Sequence, residues 1–179
     1  MSKIIEVPFG TRNENGKDAV FVAIIAKEAQ PYKNYKGKVP DKNVIIPLVL
    51  MLNRWDGRTG FPGGNVDANE DLADALVREV DEEISFSLDS SKLIPVCSHS
   101  FAINTHLYAY YVDETELLTI AKNIYSADDF VAEITGFNLV QLATFGRKGL
   151  PMFLQNNFAT SVKEELEIVL GLLNIKKEE

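Results

Sequence analysis

Apolar and polar positions along this chain fall into two rhythms. Residues 19–26, AVFVAIIA, form a short apolar run rich in β-branched side chains, which predicts a strand buried on both faces. Residues 44–53 have the same character and predict a second strand. The segment between them carries Pro31, Gly37, Pro40 and several lysines, and reads as a loop. A different period follows. Leu72, Leu76, Val80 and Ile84 recur every four residues, the apolar stripe of a helix predicted over residues 69–84. Residues 93–98 and 103–112 are strand candidates, and THLYAYYV has the aromatic content of a central strand. A helix is predicted over 114–124, with Leu117, Leu118 and Ala121 inward, and a strand over 137–142, approached through 128–134. Residues 150–175 read as a short turn and then a helix whose Val162, Leu166, Val169, Leu170 and Leu173 share a face. Residues 1–18, with Gly10, Asn13 and Gly16, read as an irregular or edge entry, and the KKEE tail as a solvated end.

Strands and helices mix without a regular βαβ alternation, which predicts an α/β or α+β fold around a mixed sheet. The 179 residues contain no repeat or long linker, so one domain over 1–179 is expected. The formal charge of −8 repels polyanions on average and excludes a broad basic face for nonspecific nucleic-acid binding; no DNA partner is expected. Cys97 is the single cysteine, so no intramolecular disulfide forms, and a small buried apolar role is expected for it. The N-terminus lacks the apolar core of a signal peptide, and the longest apolar run, residues 45–52, is too short to span a bilayer. An intracellular protein, cytoplasmic or nuclear, without a membrane partner is the reading.

Candidate chemistry concentrates in residues 57–86, GRTGFPGGNVDANEDLADALVREVDEEISF. Glu79, Glu82 and Glu83 stand at i, i+3 and i+4, on one side of the helix. They also lie in its last turn, where the dipole disfavours acids. A solvated acidic face is the ordinary reading of such a cluster. The alternative is a hard divalent cation among the carboxylates, since Mg²⁺ and Mn²⁺ prefer oxygen ligands. The surrounding spacing favours the cation. Gly64, five residues, Glu70, seven residues and then Arg78-Glu79-Val80-Asp81-Glu82-Glu83 together resemble the Nudix box. Ser85 replaces the glycine that the box carries at the helix end, at a local cost of about 1 kcal/mol.

The Nudix resemblance implies an α/β/α sandwich with a mixed β-sheet and a metal-dependent hydrolase of phosphoanhydride bonds. Glu79, Glu82 and Glu83 would be the catalytic metal ligands for Mg²⁺ or Mn²⁺, with Gly63 adding its carbonyl and Glu79 the first choice of general base. Arg78 is expected to pair with a neighbouring carboxylate, and Glu70 to fix the loop on the helix. RWDGRTGFPGG, THLYAYY and GLPMFLQNNF followed by a Ser-x-Lys-Glu-Glu helix extend the similarity over most of residues 19–173. They resemble the small-nucleolar-RNA-decapping branch, whose members are also called inosine diphosphatases. That branch implies a homodimer acting on capped RNA, inosine diphosphate-like nucleotides or ADP-ribose conjugates. Position by position, Arg54, Phe61, Gly63 and Gly64 would line the substrate site, Glu133 would be a further metal ligand, and Gly136 and Ser161 would touch nucleotide. Phe61 as plain core, Arg54 as a surface ion pair and Glu133 as a solvated acid are the competing assignments. Val22 aligns with a purine-stacking histidine of the branch, Asn65 with an aromatic and Glu165 with a glutamine, so base preference is expected to depart from that of relatives. His99 and His106 are expected in satisfied structural roles. The competing functional reading is a catalytically weak Nudix module that binds nucleotide or RNA, and beyond it an interaction protein whose acidic helix is only a surface. The lysine-bearing segment 33–38 is the best sequence candidate for contact with single-stranded RNA.

Overall fold

The computed structural model describes residues 4–30, 45–145 and 148–175. Strand β2 (Asp18–Ala26) organises the sheet, and its alternate side chains feed two cores. β1 (Ile5–Val7) precedes it as an edge strand. After β2 come β3 (Leu48–Arg54), β4 (Thr59–Gly60) and β5 (Gly63–Asn65), then helix α1 (Leu72–Ile84). β6 (Ile94–Ser100) and β7 (Asn104–Val112) follow, with α2 (Glu114–Asn123), β8 (Ile134–Gln141), the small pair β9 (Thr144–Phe145) and β10 (Lys148–Gly149), α3 (Leu150–Phe153) and α4 (Val162–Leu172). The sheet order is β1-β6-β7-β2-β3-β4, with β5 on β2 and β8 on β3. β2 runs parallel to β7 and antiparallel to β3, so the sheet is mixed, as its residue pattern predicts.

Val20, Val22 and Ile24 of β2 face α1 and α2, packing with Leu76, Val80, Ile84, Leu117 and Ile120. Ala23 and Ile25 face the other way, toward Leu166, Val169 and Leu170 of α4. Helices thus cover both faces, giving the α/β/α layering. Cys97 is buried in the α4-side core, and burial pushes its thiol up to about 12. Among the described residues no helix is long and apolar enough to cross a membrane.

The boundaries differ from the sequence expectation in instructive places. α1 begins at Leu72 rather than 69, because Asn69 takes a left-handed φ of 68° and Asp71 caps the helix by accepting a hydrogen bond from Ala73 N. Residues 45–47 stay irregular ahead of β3, and β8 starts at Ile134, three residues before the predicted strand. The glycine-rich stretch between β3 and α1 contains the short strands β4 and β5. Segment 33–38 and the KKEE tail lie outside the described residues.

Along one edge β2 has two partners. β5 pairs with its first half, Ala19 opposite Asn65 and Phe21 opposite Gly63; β3 pairs with its end, Ile25 opposite Val49. β3 then diverges to pair with β4 and β8. The fork between these partners opens the cleft described below.

At the opposite end of β2 a buried network ties down the N-terminal segment. Asp18 accepts hydrogen bonds from Asn13 N (2.9 Å), Arg12 Nε (2.9 Å) and His106 Nε2 (3.2 Å). His106 Nδ1 lies 2.8 Å from Ser98 Oγ, which accepts from Gly10 N. Burial lowers the His106 pKa, so the ring is neutral: Nε2–H donates to Asp18 and Nδ1 accepts from Ser98. Burial pushes the Asp18 carboxyl up, but the bonds from Asn13, His106 and Arg12 outweigh it and hold it below its ordinary value.

Candidate active site

The cleft in the fork encloses about 150 Å³ and is lined by Phe21, Arg54, Arg58, Phe61, Gly63, Gly64, Asn65, Thr105, Glu133 and Ser161, among others. Helix α1 sets its acids behind Gly63 and Gly64 of that lining. Glu83 shares the buried face with Val80 and Ile84 and is only 4% exposed. Its Oε2 accepts a hydrogen bond from Gly63 N at 2.7 Å. Burial pushes this carboxyl up to about 8; the Gly63 N–H opposes the shift, while Glu79 and Glu133 add to it. Burial likewise raises Glu79; Arg78 opposes this, and Glu82 and Glu133 reinforce it. The carboxylates therefore sense one another, and Glu133, arriving from the segment before β8, belongs to the same negative field.

Two glycines make the arrangement possible. Gly63 has φ +127°, and a Cβ there would collide with the Val20 carbonyl. A Cβ on Gly64 would collide with the Glu79 carboxylate. Arg78 locks loop to helix. Its Nε and Nη2 donate to the two oxygens of Glu70 at 3.0 and 2.9 Å, its Nη1 donates to Glu79 at 2.7 Å, and its Nη2 also reaches the Asn65 carbonyl at 3.2 Å. Glu70 also accepts from Asp67 N. These are the roles the sequence suggests for Arg78 and Glu70. Ser85 sits at φ 50°, the left-handed helix end expected of the glycine it replaces, and donates its N–H to Asp81 O.

No group of three or more His, Cys, Asp or Glu side chains among the described residues stands in metal-holding geometry. Arg78 supplies the local countercharge, drawing Glu79 and, at 3.4 Å, Glu82, while Glu83 turns to Gly63 N. The donor set still suits a hard cation. It consists of oxygens alone, and one of its carboxylates is buried with a single amide donor.

Arg54 and Arg58 line the cleft together with Glu133. Both pair with Asp56, Arg58 closely through Nε (3.1 Å) and Nη2 (2.7 Å), Arg54 loosely at 3.5 Å. The Arg58 contact pulls Asp56 down to about 2. Arg54 Nε is buried without a hydrogen-bond partner among the described residues.

The deep wall holds a polar cluster. Ser161 Oγ and Thr105 Oγ1 each donate to Glu165 Oε1 at 2.8 Å and lie 3.0 Å apart. His99 Nδ1 is 3.6 Å from the same oxygen, an ionic rather than a hydrogen-bonding distance. That carboxylate raises the His99 pKa, while burial opposes it. Glu165 Oε2 and His99 Nδ1 have no hydrogen-bond partner among the described residues.

Several expected site residues take other positions. Glu165 is fully buried behind Ser161 and Thr105 rather than facing the cleft. Gly136 pairs with Asn53 on β8 and is absent from the cleft lining. Val22 is fully buried against α1, on the face of β2 away from the cleft; its neighbour Phe21 reaches the lining. Val22 therefore does not reach the cleft to face a base. His106 has the satisfied role expected of it, whereas His99 keeps an unpartnered nitrogen. Arg58, Thr105 and Phe21 were not singled out from sequence. For Arg58 the signal was available, as the second arginine of RWDGR.

Comparison with known proteins adds lineage to this geometry. Residues 26–176 match the family model of Nudt16-like proteins, described as U8 snoRNA-decapping enzyme-like. The U8 snoRNA-decapping enzyme of Xenopus laevis is 33% identical over 154 residues, covering 80% of this chain and 73% of that protein. The Tudor-interacting repair regulator protein of Gallus gallus is 36% identical over 147 residues, covering 75% of this chain but 46% of its own length. Among solved structures, the Nudix domain of Shewanella oneidensis NrtR, crystallised with ADP ribose, superposes with a TM-score of 0.55 at 16% identity, covering 87% of each chain. At that identity the likeness is one of fold.

Proposed function

The chain belongs to the U8 snoRNA-decapping enzyme-like (Nudt16-like) family of Nudix hydrolases, and from that membership we propose that it is a divalent-metal-dependent pyrophosphohydrolase cutting a phosphoanhydride bond at a capped RNA end or in a nucleoside diphosphate-type substrate. The observation carrying this reading is the grouping of Glu79 and Glu83, both raised in pKa by burial and by the charge of Glu133, around Gly63 and Gly64, two residues that line the same cleft as Glu133, Arg54 and Arg58. Phosphoanhydride chemistry needs both, a cation seat beside the scissile phosphate and fixed positive groups on its neighbour.

Glu79, Glu82, Glu83 and Glu133 would hold Mg²⁺ or Mn²⁺, with the Gly63 carbonyl as a further oxygen. When bound, the ion neutralises the diphosphate, polarises phosphorus and lowers the pKa of a coordinated water. Arg54 and Arg58 receive the non-reacting phosphate oxygens. Arg78 keeps helix and loop in register through Glu70. Burial raises the Glu79 pKa, which moves it toward the range of a useful general base. Phe61, Asn65 and Ser161 bound the space for the base.

The test is a hydrolysis screen of capped RNA, inosine, guanosine and adenosine diphosphates and ADP-ribose, with Mg²⁺ or Mn²⁺ against EDTA. Metal-dependent product release is expected; none from any substrate would overturn the proposal. A binding module with little turnover is the second reading, favoured by the similarity to a protein named as a repair regulator. Tight ligand binding in the same screen without release would establish it.

A further inference from the structure

Trp55, the chain's single tryptophan, sits at the tip of the β3–β4 hairpin and is 65% exposed. One exposed aromatic is unremarked on most surfaces. Three observations set this one apart. First, the tip that carries it is rigid: Arg54 N donates to Arg58 O at 2.8 Å, Gly57 N to Arg54 O at 3.0 Å, and Trp55 N to Glu133 O at 2.9 Å. A stacking partner would meet an ordered backbone, so little ordering entropy opposes binding. Second, Trp55 lies between Arg54 and Arg58, both of which line the cleft and share the single carboxylate of Asp56. Residues 54–58 therefore carry a net positive charge in a chain of net charge −8. Third, Trp55 itself is absent from the cleft lining. A mononucleotide seated in the cleft does not touch it; a chain running on from the scissile phosphates would.

We infer that the β3–β4 tip is the docking point for the polynucleotide portion of a single-stranded substrate, with Trp55 stacking on a base outside the cleft, beside the arginines that hold the phosphates within it. Stacking on an aromatic tolerates any base, because every base has a π-face. The tip thus selects for chain length rather than base identity. The inference rests on the proposed hydrolase reading for what happens in the cleft, but not for the stacking itself.

The single tryptophan makes the test direct. The full chain in EDTA is titrated with a short capped oligoribonucleotide, its deoxy counterpart and a free nucleoside diphosphate, following tryptophan emission, with anisotropy of labelled oligonucleotide as the independent measure of binding. Emission should be quenched by the oligonucleotides at saturation and unaffected by the diphosphate. Trp55→Ala should weaken oligonucleotide binding about tenfold. Trp55→Phe should recover most of it, and kcat/KM on the free diphosphate should stay within about twofold. Arg58→Ala should reduce the salt slope of oligonucleotide binding by about 0.7. Unchanged emission at saturation, failure of any oligonucleotide to bind, equal losses on oligonucleotide and diphosphate, or a change of oligomeric state in Trp55→Ala would each overturn the inference. Quenching without hydrolysis of any substrate would instead remove the hydrolase reading and leave the docking surface standing.

Discussion

Asp18 and Glu83 are both buried carboxylates, and their surroundings are opposites. Asp18, at the N-terminal end of β2, is met by Arg12, His106 and the Asn13 amide. Glu83, behind Gly63 of the cleft lining, accepts from the Gly63 amide and lies in the fields of Glu79 and Glu133. The first environment stabilises the charge; the second penalises it. A fully satisfied network contributes to stability, whereas a buried acid among acids is an unfavourable arrangement in the isolated chain. The contrast separates an end of the molecule whose charges are satisfied from the one to which the proposed function assigns the cation. It also shows that a Ser-His-Asp triplet is not by itself a site, since Ser98, His106 and Asp18 form one that is sealed from solvent.

The contrast breaks first at the acidic end. Glu82→Gln and Glu83→Gln should each lower turnover on the order of 10²-fold or more, because metal charge stabilisation contributes several kcal/mol. The metal-free Glu83→Gln protein should melt no lower than wild type. Steady-state kinetics at saturating Mg²⁺ and thermal melts in EDTA check both, and a lower melting point would remove the contrast. Asp18→Asn should do the reverse, costing about 2 kcal/mol of unfolding free energy while leaving kcat of the folded fraction near wild type. Urea denaturation followed by native-state kinetics reads that outcome.

The two acids also titrate in opposite senses. The folded-state pKa of Glu83 is raised from 4.5 to about 8, so its contribution is fully present below 4.5 and is lost as pH rises toward 8. That of Asp18 is lowered, so its contribution is present above its ordinary 3.8 and is lost as pH falls through the folded value. Stability of the metal-free protein should therefore peak on the acid side of neutrality, between these windows. Saturating divalent metal should flatten the alkaline limb, and melts across pH with and without Mg²⁺ would show it.

The smallest effect concerns the deep wall. With both hydroxyl protons directed at Glu165, Ser161 and Thr105 present lone pairs, so a base edge that donates is favoured there. Glu165→Gln can return a donor to the hydroxyl pair. It should narrow the preference between donating and accepting base edges by about two- to tenfold, the worth of one neutral hydrogen bond. Ratios of kcat/KM for adenosine, guanosine and inosine diphosphates measure this, and unchanged ratios would make the cluster purely structural.

What could be read from sequence followed the range of the interactions. The stripe from Leu72 to Ile84 and the apolar run of β2 are local patterns, and both elements stand where expected within three residues. The Arg78–Glu70 lock was legible for the same reason, since eight residues separate its partners. The two-residue strand β4 offers no period to detect. The Glu165 cluster joins β6, β7 and α4, up to 66 residues apart, and no local pattern tells which face of α4 meets them. Val22 and Phe21 show how sharply register matters, for a single step along a strand moves a side chain from one core to the other.

Gly64 carries no functional group, yet the space above its Cα belongs to the Glu79 carboxylate. In a saturation mutagenesis scored by activity, every substitution at this position should rank with loss of an acid, alanine included, while the protein still accumulates in folded form. Conventional tolerance scales, which rank Gly→Ala among the mildest exchanges, would misjudge it. Natural variants at Gly64 would be silent in abundance measurements and severe in function.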